Sequence, residues 1–181
     1  KKIFNDANKM LDFIEENNIV DIKGVFGIFK ANSNGDNIEL YNKDKSLAVT
    51  FNLFREQRKK NKGPYLCLSD FIAPKEINKD DYLGGFIVTT GLKADEYVKK
   101  LESEGDSYNA IMLKLVYDRL AEAFAEKLHE DIRKNYWGYA KDENLSMKEI
   151  FKASYRGIRP AFGYPSLIDQ SQMKILFNLL N

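Results

Sequence analysis

From Leu113 an apolar residue returns every third or fourth position, through Val116, Leu120, Phe124 and Leu128 to Ile132. That spacing predicts one long helix, from Tyr108 to about Tyr136, with a single stripe to bury. The rest of the chain must therefore offer it an apolar partner surface. Upstream, Phe4, Ala7, Leu11 and Ile14 predict an opening amphipathic helix that fades at Asn17-Asn18. A β-rich stretch follows. Gly24 to Ala31 and Ile38 to Tyr41 flank the turn residues Asn34-Gly35-Asp36 and read as a hairpin. Further strands are expected at Leu47 to Phe54, Tyr65 to Phe71 and Tyr82 to Thr90, with Pro64 and Pro74 punctuating the loops. Helices are expected again at Lys93 to Glu104, after the capping box Ser146-Met147-Lys148-Glu149, and from about Asp169. The fold class is α+β: a twisted antiparallel sheet with helices, one of them long, packed around it.

A chain of 181 residues is long enough for one compact domain. Its 28 basic and 27 acidic residues leave a net charge of +1, which lacks the basic excess of a nucleic-acid binder. The run Arg58-Lys59-Lys60 beside Gly63-Pro64 reads as a solvated loop. No segment approaches the ~20 apolar residues of a membrane span. Cys67 is the single cysteine, so an internal disulfide and a cysteine-rich zinc site are both excluded, and a reducing cytoplasm is expected. The absence of a starting methionine and the apolar run at Leu179-Leu180 are what a piece of a longer polypeptide would show.

Neither G-x-G-x-x-G nor G-x-x-x-x-G-K is present, so a Rossmann-type methyltransferase is not expected. Asp118, Glu122, Glu126, His129 and Arg133 share one helix face. A hard metal can use a carboxylate–histidine row, but the spacing alone favours a solvent-facing stripe laced by charge pairs. A second histidine for zinc is lacking. Arg156 to Pro165 (RGIRPAFGYP) is the remaining constellation. Two prolines stiffen it and Gly163 permits a left-handed or close-approach backbone. Such a loop can clamp a small planar ligand, with Arg159 gripping a carboxylate, or can simply be a stiff connection between helices. The residues alone leave both readings standing.

Arg159 to Pro165 resembles the R-P-A-x-G-Y-P signature of the activation (reactivation) domain of cobalamin-dependent methionine synthase. The similarity extends to Phe4–Leu11 (FNDANKML), the glycines and asparagine of the Lys23–Tyr41 hairpin, Cys67–Pro74 (CLSDFIAP) and Asp81–Gly91 (DYLGGFIVTTG). It continues through Asp118–Glu130 (DRLAEAFAEKLHE) and Tyr136–Ala140 (YWGYA). The blocks span residues 1–181 in the family's order. Phe54-Arg55-Glu56-Gln57 departs from the family's Leu-Arg-Gln-Gln, and Phe162 fills the variable slot of the signature. The family domain is expected to extend beyond both ends, with an upstream aspartate that contacts the ligand.

The resemblance implies a part of a methyltransferase, with no catalytic residue or metal of its own in this piece. The domain would hold S-adenosylmethionine for reductive remethylation of cob(II)alamin. A flavodoxin-type protein would donate the electron and the cobalamin-binding domain of the same polypeptide would be the docking partner. Cobalamin and zinc would belong to other domains. Arg159 is implied at the methionine carboxylate and Glu122 at the cationic end. Ala161, Gly163 and Tyr164 are implied as further contacts, Tyr164 also lying towards the incoming corrin. Asp118 is implied at the cobalamin-domain interface. A stand-alone reactivation protein serving a separate corrinoid enzyme is the alternative. A methyltransferase with its own small substrate would need a general base that the sequence does not offer.

Overall fold

The computed structural model describes residues 2–181. Its elements are α1 (Lys2–Glu16), β1 (Lys23–Asn34), β2 (Asn37–Tyr41), β3 (Leu47–Phe51), β4 (Asp81–Thr89), α2 (Lys93–Ser103), α3 (Ser107–Asp131), α4 (Met147–Phe151) and α5 (Met173–Leu179), with short 3-10 turns between. One four-stranded sheet has the order β3-β2-β1-β4, with β1–β2 and β2–β3 antiparallel. This is the α+β class expected from the sequence. The described residues form two compact units, 2–25 with Ile87–Lys141 and Phe26–Phe86 with Asp142–Asn181.

The first unit is helical. Asp106 caps α3 by accepting the Asn109 N–H at 3.1 Å, which satisfies one of the otherwise orphaned donors of the first turn. Met10 and Ile14 of α1, Ala94 and Val98 of α2, and Ala110, Leu113 and Val116 of α3 form one buried cluster. The register of the long apolar stripe is therefore as its spacing requires. Near its C-terminal end, α3 passes into a π-helical turn at Ile132–Tyr136.

The second unit is built on the sheet. Asn34 and Asn37 close the β1–β2 hairpin as a pair, with Gly35 at φ +60° in the turn. Ala31, Ile38, Leu40, Phe51, Leu53, Cys67, Ile72 and Leu167 make its buried core. The stretch from Tyr65 to Phe71 is not a strand; Leu68–Phe71 is a 3-10 turn. The reason lies in Asp70, whose carboxylate accepts the Cys67 N–H at 2.9 Å and also receives the Arg55 guanidinium at 2.7 Å. A side chain that satisfies the local backbone competes with ladder pairing. β3 likewise ends at Phe51, short of the Phe54 expected.

Candidate functional site

The loop from Arg159 to Leu167 lies in the second unit and consists of two consecutive tight turns. The Tyr164 N–H donates to the Ala161 carbonyl at 3.1 Å and the Leu167 N–H to the Tyr164 carbonyl at 2.8 Å. The Gly163 N–H donates back to the Leu167 carbonyl at 2.8 Å, closing the loop on itself. The loop is also pinned from below, because Leu68 N–H donates to the Ser166 carbonyl at 2.8 Å. Leu167 is buried and Phe162 packs against the same core, so these two side chains anchor the underside. Ala161, Gly163 and Tyr164 remain exposed, Tyr164 by 62%.

Gly163 is required by its backbone conformation, since the Gln170 side-chain end that an added Cβ would meet can move aside. Its φ is +96°, and a Cβ added there would lie 2.9 Å from Gln170 Nε2. The Ala161 carbonyl already accepts one backbone N–H and keeps a single lone pair for a ligand donor.

Arg159 is half-buried and directly precedes Pro160, which biases its backbone to an extended conformation. Its guanidinium carbon stands 6.0 Å from the ring centre of Phe86 on β4. In this unit the structure thus brings together Arg159, Ala161, Gly163 and Tyr164 in one rigid turn pair. Phe86, Phe162 and Leu167 are the residues missed by sequence reasoning. Alternation along β4 was the one available signal for Phe86.

Glu122 and Asp118 belong to the first unit, one turn apart on α3 and both exposed. The Glu122 carboxylate pairs with Arg119 at 2.7 Å, with both side chains more than half exposed. The row beyond them corrects the solvent-facing stripe that spacing alone favours. Glu126 is half-buried, His129 is 7% exposed and Arg133 only 1%. Arg133 Nη1 donates to His129 Nδ1 at 2.7 Å. Arginine has no acceptor, so His129 must accept at Nδ1 and carry its proton on Nε2 as the neutral tautomer. A buried guanidinium is tolerable only with such acceptors, and so the charged row can turn inward. Among the described residues, no three His, Cys, Asp or Glu side chains gather as a metal ion would need. Earlier on the same face of α3, Ile111 and Leu115 are apolar yet 59% and 55% exposed. Among the described residues, no helix is long and apolar enough to cross a membrane.

A second polar cluster lies on the sheet. Glu39 of β2 is 8% exposed and receives Lys75 Nζ, Asn34 Nδ2 and Tyr41 OH, each at 2.7 Å. The Lys75 ammonium, then Asn34 and Tyr41, hold its pKa down at about 2. All donors point at one carboxylate, so the cluster braces the sheet rather than presenting a group to solvent.

Residues 1–181 match the family model described as vitamin B12-dependent methionine synthase, activation domain. The chain is also similar to a crystal structure of the MetH reactivation domain bound to AdoHcy, with 44% sequence identity and a TM-score of 0.91. That match covers 99% of this chain and 56% of the other.

Proposed function

The chain belongs to the family of vitamin B12-dependent methionine synthase activation domains, and on that premise we propose that it binds S-adenosylmethionine for reactivation of the cobalamin enzyme. The observation that carries the proposal is the anchored turn pair from Arg159 to Leu167, with Ala161, Gly163 and Tyr164 turned outward. The bound AdoHcy of the similar structure differs from S-adenosylmethionine by the methyl group. When bound, S-adenosylmethionine supplies a sulfonium methyl group, destined for the cobalt of cobalamin held by another domain.

The protein's own task is positioning. Arg159 grips the methionine carboxylate with its planar fork. Backbone atoms of Ala161 and Tyr164 fix the ligand's depth, and Gly163 allows the backbone to approach. Glu122 is proposed for the cationic end, where it exchanges Arg119 for the ligand's positive charge. No general base is required, because the nucleophile belongs to the corrin.

Docking on the cobalamin-binding domain is proposed for the α3 face carrying Asp118, supported by the exposed Ile111 and Leu115 beside it. A flavodoxin-type electron donor and a cytoplasmic setting complete the reading. Titration calorimetry with S-adenosylmethionine tests it: Arg159→Ala should weaken binding by roughly 2–5 kcal/mol. Unchanged affinity in a folded Arg159→Ala variant would remove the turn pair from the site.

A further inference from the structure

We propose that Gln170 is a further ligand-binding residue, its carboxamide donating to an acceptor on the nucleoside half of S-adenosylmethionine. This rests on the reading that the outward face of the turn pair from Arg159 to Leu167 takes that ligand. The carboxamide is already at the turn pair: it lies against Gly163, where an added Cβ would stand 2.9 Å from Gln170 Nε2. Leu167 is buried, and the Asp169 carboxylate accepts the Ser171 N–H at 2.9 Å, so the backbone that carries Gln170 is held on both sides. The side chain itself is exposed and has no hydrogen-bond partner among the described residues. A fixed backbone thus carries a polar end that is free to turn to a ligand.

The turn pair lacks a donor at this point. The N–H groups of Gly163 and Tyr164 already donate to the Leu167 and Ala161 carbonyls, and Pro165 has none. From Gly163 to Pro165 the backbone therefore offers a ligand acceptors only. Gln170 supplies the missing N–H, with a carbonyl beside it. The ligand's own acceptors are its carboxylate, its ribose oxygens and its ring nitrogens, whereas the sulfonium and ammonium groups have none. With the carboxylate assigned to Arg159, the nucleoside half is the partner left for Gln170.

The test compares S-adenosylhomocysteine with 5′-methylthioadenosine, which keeps the nucleoside and lacks the amino-acid carboxylate and amine. In titration calorimetry, Gln170→Ala should weaken both ligands by the same factor, about three- to tenfold. Gln170→Glu keeps the length but presents only acceptors at neutral pH, and should weaken both at least as much. Melting curves of both variants should match the native chain, because the side chain is exposed and unbonded. Unchanged affinity for both ligands, a loss confined to S-adenosylhomocysteine, or full affinity in Gln170→Glu overturns the proposal. So does a loss of affinity that comes only with a lowered melting temperature. Arg159→Ala on the same two ligands tests the underlying reading separately, and should weaken S-adenosylhomocysteine alone. If it does so while Gln170→Ala changes neither ligand, only the role of Gln170 fails. If the native chain binds neither ligand, the underlying reading falls and this proposal falls with it.

Discussion

At the scale of single residues, Gly163 and Glu122 make opposite kinds of demand. Gly163 answers to the backbone: a residue with a Cβ would be strained at φ +96° and would press on Gln170. Gly163→Ala should cost about 1–3 kcal/mol of stability in urea unfolding. Truncating Gln170 alongside it should recover little, because the dihedral strain remains. Glu122 answers to charge. Its exposed pair with Arg119 contributes at most about 1 kcal/mol, so replacing that partner with a ligand cation is energetically cheap. Glu122→Gln should weaken S-adenosylmethionine more than the neutral thioether S-adenosylhomocysteine in parallel titrations. Equal effects on both would mean that the carboxylate does not sense the sulfonium. Arg159 and Gly163 could be singled out in the sequence because arginine and glycine carry charge and backbone rules with them, and Tyr164 through the resemblance of Arg159–Pro165 to the family signature. Phe162 and Leu167 could not, since an apolar residue in a loop gives no sign of which way it turns.

At the scale of elements, α3 shows how far periodicity reaches. Spacing of three and four located its buried stripe, from Leu113 and Val116 to Ile132, because a core contact is a property of the helix face. It did not reveal that the charged face changes character along its length, from exposed Asp118 to buried Arg133. That depends on acceptors that approach only in the folded chain. The missing strand at Tyr65 to Phe71 has a similar cause. The continuous apolar run from Tyr65 to Leu68 matched a strand, while Asp70, three residues beyond Cys67, supplied a competing local bond. The exposed apolar part of α3 leads to a docking test. Ile111→Lys with Leu115→Glu should leave the melting temperature within a few degrees, since both side chains are already in solvent. S-adenosylhomocysteine affinity should also hold. Reductive reactivation of the full-length enzyme should fall, and an unchanged rate would free this face from any docking role.

At the scale of the whole molecule, the class of fold follows from the change of pattern along the chain, strand signals between the opening helix and Gly91 and helical ones after it. Its expected loss of stability in acid follows from something the pattern does not contain. Glu39 is buried among three donors from β1, β2 and the turn at Lys75, and its pKa is held down at about 2, well below its ordinary 4.5. A carboxyl whose folded pKa is depressed stabilises the fold fully above its unfolded pKa, and that contribution fades as pH falls towards the folded value. Glu39 should therefore contribute on the order of 2 kcal/mol at neutral pH, lost progressively between about pH 4.5 and 2. Asp70, lowered chiefly by Arg55, acts in the same direction. Lys75, raised by Glu39, adds the mirror effect, present below its ordinary pKa and lost as pH rises beyond it. Urea unfolding of the native chain and Glu39→Gln across the acid range checks this. The variant should be less stable at pH 7, show a shallower slope below pH 4.5, and converge on the native chain near pH 2. Parallel stability curves for the two proteins would mean that the charge of Glu39 does not brace the sheet.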